Sequence, residues 1–397
     1  MKITVRPFHP QDAEATVAVR RAAVPHLVGT ARSLLWETEQ RPEHERYRLI
    51  AEQHGQPGQH GQRPQPGQPA ESAESAETGS TGPTGRTGRP GPTEPAEPAE
   101  PAEPAEPAAL LGRLGRLGHR PGRTAEIRHS GHAPPPGPRT AAPGGLVGCA
   151  DIGLIADSGT PGQGFVQTMV LPAAQRAGVG GALVAAAEER LRAMGAVRAH
   201  TWAADDGVAP DFAERRGYRC LRRARILGLD LATARLPAPP APLPEGVVLC
   251  TPAEVAGEAG DLRPLYEADV ECAADEPGAA ASVRLPYEVW LRHNWLRPDW
   301  DARLSSVVLV DGAVAAYSVA QTDGVDRYWS GMTGTRRAFR GRGLAALAKA
   351  DSLRRSRAAG YRHAFTGNDA ANAAMLGINR RLGYTVVASQ WRCAKTL

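Results

Sequence analysis

Two stretches of this chain carry the same succession of apolar and polar positions. In the first, alternation over 2–7 predicts a strand and helical spacing predicts helices over about 11–21 and 25–35. Strands follow at 46–52, 146–155 and 164–170. Then comes a helix over 178–194, on which Leu183, Val184, Ala187, Leu191 and Met194 share one face. A strand at 197–202, a helix at 208–216 and a strand at 218–230 complete the series. After the proline-rich run 236–245 the order returns. It predicts a strand at 247–251, helices near 253–270 and 285–296, and strands at 305–310, 313–321 and 327–333. A helix over 343–359, a strand at 362–366, a helix over 370–381 and a strand at 384–394 close it. This doubled β-α-α-β-β-β-α-β-α-β order predicts a mixed α/β fold: two tandem sandwich domains, 1–230 and 246–397, joined by a semi-rigid linker.

The copies differ at one hairpin. In the second, Asp311-Gly312 joins two strands, and Asp-Gly is a strong two-residue turn signal. In the first, residues 56–144 stand at that place. They run through Gln-Pro-Gly repeats, five Glu-Pro-Ala triplets beginning at Glu94 and a proline-rich close. Few β-branched or aromatic residues are present, so the tract cannot bury enough surface to offset its chain entropy. The expectation is a disordered low-complexity insertion at a hairpin tip, where added length costs little.

Composition narrows the class. Hydrophobic residues make up 42% of 397, enough for packed cores. No apolar run is long enough to span a membrane, and the first residues lack the apolar core of a secretion signal. The five cysteines (149, 220, 250, 272 and 393) are scattered with no Cys-x-x-Cys pair, which indicates neither a zinc site nor a disulfide framework. A reducing cytoplasm is the expected setting, with no metal and no membrane contact. The net charge is +5. The insertion holds nine acidic and nine basic residues, so the surplus lies outside it. No helix-turn-helix, zinc or RNA-binding motif accompanies the charge, and no nucleic-acid partner is expected.

The basic residues gather at a loop that occurs twice. Residues 169–181 read Met-Val-Leu-Pro-Ala-Ala-Gln-Arg-Ala-Gly-Val-Gly-Gly. Residues 332–345 read Met-Thr-Gly-Thr-Arg-Arg-Ala-Phe-Arg-Gly-Arg-Gly-Leu-Ala. Each follows a predicted strand and opens a helix, so backbone N–H groups and the helix dipole favour an anion there. Gly-x-x-x-x-Gly-Lys-Ser/Thr is absent from both, which argues against a nucleoside-triphosphate loop. The pattern Gln/Arg-x-x-Gly-x-Gly/Ala resembles the acetyl-CoA loop of the GNAT (GCN5-related N-acetyltransferase) superfamily. The likeness extends to Gly217-Tyr218 and Gly383-Tyr384, to Thr366-Gly-Asn368, to Asn372-Ala-Ala-Met375 and to Ile378-Asn379-Arg-Arg-Leu-Gly-Tyr384.

The resemblance implies an acetyl-CoA-dependent transfer to a primary amine, on a small molecule or a protein. A homodimer is compatible with it. In the second half, Met332 and Thr333 would meet the pantetheine arm. Arg340, Gly341, Arg342, Gly343, Leu344 and Ala345 would cradle the pyrophosphate, with Asn368 and Asn372 along the arm. In the first half, Met169, Val170, Gln175, Arg176, Ala177, Gly178, Val179, Gly180 and Gly181 would do likewise. Many superfamily members protonate the leaving thiolate with a tyrosine four residues before the Gly-aromatic pair; here Ala213 and Asn379 stand there. Asp206 replaces Asn372 in the first half, so the second is expected to be active. Base candidates are Glu271, Asp275 and Glu276, with Asp151 and Asp205 their counterparts in the first half. Structural roles suit His200 and His363, and Trp295, Trp300 and Trp329 serve either a core or an acceptor pocket. The alternative class is a non-catalytic coenzyme-binding or scaffolding protein, which the missing tyrosines favour.

Overall fold

The computed structural model describes residues 2–40, 45–54, 145–155, 158–276 and 284–397. The first copy comprises β1 (Lys2–Pro7), α1 (Ala13–Ala23), α2 (Ala31–Gln40), β2 (Arg46–His54), β3 (Leu146–Leu154) and β4 (Gln163–Val170). It continues through α3 (Val179–Ala193), β5 (Arg198–Ala204), α4 (Val208–Glu214) and β6 (Arg219–Asp230). The second comprises β7 (Val247–Cys250), α5 (Pro252–Ala256), α6 (Arg263–Ala273), α7 (Tyr287–Trp290), β8 (Ser306–Val310), β9 (Ala313–Thr322) and β10 (Arg327–Thr335). It ends with α8 (Leu344–Ala358), β11 (His363–Asp369), α9 (Ala373–Arg381) and β12 (Thr385–Thr396). The helix read over 253–270 is broken into α5 and α6, because Gly257 and Gly260 take left-handed backbone angles (φ 58° and 65°) that end the first piece. The low-complexity tract lies outside the described residues. Its flanks pair as a hairpin: β2 runs antiparallel to β3, and the Gln53 N–H donates to the Gly145 carbonyl at 2.9 Å.

All twelve strands form one sheet in the order β1-β2-β3-β4-β5-β12-β6-β11-β10-β9-β8-β7. The two halves exchange their last strands. β12, from the chain's end, pairs with β5, while β6 pairs with β11, and the two travellers pair with each other at the centre. The exchange is packed as well as hydrogen-bonded. Leu227 and Leu229 of β6, and Leu231 just after it, sit in the core made by Leu353 of α8 and Leu376 of α9. Cys393 of β12 sits with Leu183, Ala187 and Leu191 of α3 in the first core. Neither half completes its sheet alone, so the strand at 218–230, read as closing the first half, instead extends the second.

The exchange also overturns the expectation of no disulfide. Cys220 and Cys393 fall opposite each other on β6 and β12, with Cα atoms 4.0 Å apart, and are joined. They lie 173 residues apart in sequence, so only the strand pairing brings them together. Cys149, Cys250 and Cys272 are free and buried. Serine at both 220 and 393 is expected to lower the unfolding free energy by about 2–4 kcal/mol. Denaturant melts under oxidising conditions check this, and an unchanged curve would contradict it.

A buried ionic network also ties the halves. Asp151 on β3 is 3% exposed and pairs with Arg48 and, at 3.2 Å, with Arg20. Glu37 on α2 reaches Arg48 at 3.2 Å and, across the domain boundary, Arg297 at 3.4 Å. Arg21 adds a pair to Asp323 at 3.1 Å. Among the described residues no helix is long and apolar enough to cross a membrane, and no group of three His, Cys, Asp or Glu side chains is placed to hold a metal.

Candidate functional site

Each half contains one parallel strand pair, and each pair comes apart toward the glycine-rich loop. In the second half β10 and β11 pair from Arg327↔His363 to Trp329↔Phe365 and then splay. Two residues beyond the last pair stand Gly331 and Gly367. With no side chains there, the gap opens into a cavity of about 950 Å³. In the first half β4 and β5 pair from Gln163↔Arg198 to Phe165↔His200. The matching positions are Gln167 and Trp202. The Gln167 side-chain amide bridges the gap, donating to the Trp202 carbonyl at 3.3 Å and accepting from its N–H at 3.2 Å. A side chain thus bridges the first splay at these positions; in the second the Thr366 hydroxyl donates to the Ser330 carbonyl at 3.1 Å, and the gap opens beyond that bond, at Gly331 and Gly367.

The open splay faces the N-terminus of α8. Gly343 caps that helix at φ 76°, and Gly341 precedes it at φ 79°. A Cβ at either would meet no heavy atom within 4 Å, so the space over the helix end is clear. In the first half Gly178 takes the equivalent left-handed cap, but Arg176 occupies the Gly341 position at φ 64°, a costlier conformation for a residue with a Cβ. Met332, Thr333, Arg340, Gly341, Gly343, Leu344, Ala345, Asn368 and Asn372 all border this cavity, as the sequence pattern leads one to expect. Arg342, between the two glycines, is exposed. Asn372 also caps α9, its Oδ1 accepting from the Met375 N–H at 3.1 Å. Asn379 is fully buried and donates to Asn368 at 2.7 Å, so it braces the cavity wall.

The three carboxylates expected as bases separate. Glu271 accepts from Arg336 at 2.8 Å and from the Arg337 N–H at 2.6 Å. Asp275 accepts from both donors of Arg337 (2.8 and 2.7 Å) and from Arg340 (2.5 Å), which hold its carboxyl far below the usual range. Both are therefore counter-ions of the glycine loop, since their lone pairs are already taken by guanidinium groups. Asp275 stands where an anionic ligand of Arg340 would compete with it. Asp275→Asn is expected to tighten binding of a polyanionic coenzyme roughly two- to fivefold, the scale of exposed ion pairs. Titration at low salt checks this; weaker binding would contradict it.

Glu276 is different. Among the described residues no arginine holds it. The residue is exposed at the cavity rim, yet partial desolvation of its carboxyl, with the Asp269 and Asp369 charges nearby, pushes its pKa up. Asp269, which sequence reasoning missed, is the second such group. It accepts from the Tyr317 hydroxyl at 2.5 Å and from the Trp290 indole N–H at 2.6 Å. Burial raises its pKa against those two hydrogen bonds. Tyr266, Trp290, Trp300 and Trp329 supply aromatic wall on this side of the cavity, while Trp295 packs in the core. In the first half the counterparts are spent. Asp151 lies in the ionic network, and Asp205 pairs with Arg223 at 2.7 Å and accepts from Trp391 at 2.9 Å. His200 bonds Gln163 at 2.8 Å, and burial, aided by Arg392 and Arg198, lowers its pKa to about 4. His363 lies 3.8 Å from Asp326 at the far end of β11.

Comparison with known proteins bears on the fold. The family model described as Acetyltransferase (GNAT) family matches residues 118–218. No curated protein matches the chain. Among solved structures, a GCN5-related N-acetyltransferase from Sphaerobacter thermophilus is 18% identical, with a TM-score of 0.57 over 99% of this chain and 95% of that one. A tandem GNAT protein from the clavulanic acid biosynthesis pathway is 16% identical, also with a TM-score of 0.57, over 99% and 98%. At these identities the likeness is one of fold, and it spans both halves.

Proposed function

We propose that this chain is a tandem two-domain member of the GNAT superfamily and that it transfers acetyl from acetyl-CoA to a primary amine, with only the second domain active. One observation carries the reading: beyond the Thr366–Ser330 hydrogen bond the β10–β11 splay is open at Gly331 and Gly367 and faces a clear, glycine-capped helix N-terminus, whereas the β4–β5 splay is bridged there by Gln167. Bound there, acetyl-CoA supplies a thioester carbonyl for attack. The Gly341–Gly343 backbone and Arg340 hold its pyrophosphate. The edge of β10 beyond Ser330, whose carbonyl is taken by Thr366, offers hydrogen bonds to its amide arm, so the acyl end is oriented before the amine arrives.

An amine must lose a proton to react. Glu276, raised in pKa yet not ion-paired, is the base this cavity offers, with Asp269 behind it. The base works deprotonated, so turnover rises with pH through its raised pKa. The first domain acts as a structural partner that contributes β6. The expected cytoplasmic setting stays part of the proposal; a disulfide that persists there must resist the thiol pool.

The test is thiol release from acetyl-CoA with a panel of primary amines. Amine-dependent release is expected. Glu276→Gln should lower kcat about 100-fold or more while acetyl-CoA binding persists. Coenzyme binding without any turnover would instead leave a non-catalytic acetyl-CoA-binding protein, the reading favoured by Asn379 in place of tyrosine.

A further inference from the structure

The acyl-transfer reading leaves the departing thiolate without a proton donor, because Asn379 stands at the usual tyrosine position and is tied to Asn368. The same cavity contains a candidate that the sequence pattern hides. Lys349 lies on the inner face of α8, among Leu344, Ala348 and Leu353, at a position where helical spacing calls for an apolar residue. It is 1% exposed yet borders the cavity. Four residues of the cavity wall carry basic side chains: Arg284, Arg340, Arg381 and Lys349. The three arginines are exposed, and Lys349 alone is buried. Its ammonium sits 5.2 Å from the centre of the Tyr384 ring.

We propose that Lys349 is the proton donor to the coenzyme's departing thiolate, a role that rests on the acyl-transfer reading. The amine forms the new C–N bond at the thioester carbonyl and gives up its proton to Glu276. The C–S bond breaks, and its electron pair leaves on sulfur. Lys349 passes one proton to that sulfur, giving a neutral thiol and a neutral lysine, which solvent reprotonates.

A buried ammonium with no counter-ion among the described residues is well suited to this. Its charge is costly until a thiolate appears beside it, so the pair favours the state in which sulfur carries charge. The neighbours do not oppose it. Tyr384, just before β12, and Tyr328 from β10 are held neutral, their pKa values raised by burial. Ser352 on α8 is engaged with Tyr328 at 2.9 Å. Asp351 on the same helix points to Ser306 and Arg355 instead. Burial alone, with no charged neighbour contributing, brings the Lys349 pKa down to about 7. An acid must be protonated to act, so this group's contribution falls as pH rises through that value.

The test uses Lys349→Met in the full chain. The variant removes a buried, unpaired amine and is expected to melt no lower than the parent, which separates its effect from misfolding. Two readouts are taken. Free coenzyme A is bound to each protein and its thiol titrated by thiolate ultraviolet absorbance. The parent is expected to lower the thiol pKa, and Lys349→Met to return it to its ordinary alkaline range. In turnover, kcat is expected to fall about 100-fold with little change in KM for acetyl-CoA, and the decline in kcat above neutral pH should disappear. An identical thiol titration in both proteins, or a variant that keeps the parent's kcat and pH profile, would overturn the assignment while leaving acyl transfer intact. Failure of coenzyme A to bind either protein would overturn the acyl-transfer reading and this inference with it.

Discussion

Replacing Gly331 with glutamine is expected to weaken acetyl-CoA binding about 100-fold or more and to remove activity with it. The first domain already displays the outcome: at the matching position Gln167 hydrogen-bonds both backbone groups of Trp202 across the splay. A glutamine at 331 would face Gly367 in the same way and fill the gap through which the pantetheine arm must pass. A hundredfold loss corresponds to about 2.7 kcal/mol, well within the cost of displacing two hydrogen bonds and a side chain. The backbone at Gly331 is not left-handed. A Cβ there meets only Val319, at 3.3 Å, so the fold should accept a side chain after a small shift. Gly331→Ala is the control and should keep most binding. Equal affinity in the parent and the glutamine variant would show that the arm does not use this gap.

The second large effect is on stability. Asp151→Ala is expected to destabilise the fold by about 3–5 kcal/mol, the usual consequence of removing one partner from a buried ion pair. The loss would leave Arg48, 6% exposed, without its principal carboxylate and would free Arg20 as well. Burial alone would raise the Asp151 pKa, but Arg20, Arg48 and Arg46 outweigh it and hold the carboxyl well below the ordinary range. The sign of the pH dependence follows. A carboxyl with a depressed folded pKa contributes its stability fully above the unfolded pKa, about 4, and loses it as pH falls toward the folded value. The parent should therefore lose stability below pH 4, and Asp151→Ala should lose less over the same window. Urea melts between pH 3 and 7 check this; parallel curves would contradict the network's role.

Much of this architecture was legible in the chain because its determinants are local. Strand alternation, helical stripes and the glycine-arginine loops each lie within about twenty residues, and the doubled order exposed the tandem arrangement. What escaped depends on distance. Nothing near Arg219–Asp230 says that it will lie beside β11, since an amphipathic strand reads the same whichever sheet it joins. The Cys220–Cys393 bond was hidden for that reason. Side-chain competition was equally invisible: Glu271 and Asp275 look like free acids until Arg336, Arg337 and Arg340 fold over them. Asp269 sits within a helix with no motif around it. Lys349 did leave a signal, a lysine inside an apolar stripe, and Gln167 and Trp202 left another, bulky residues where the second copy has two glycines.

We read one domain as holding the coenzyme and the other as built not to. The most direct measurement is calorimetric titration of acetyl-CoA into the full chain, with its stoichiometry, for the parent and for Gly343→Asp. Aspartate tolerates the left-handed cap but places a carboxylate at the helix N-terminus where the pyrophosphate would lie. One site per chain is expected in the parent and none in the variant. Two sites, or one site that survives Gly343→Asp, would contradict it.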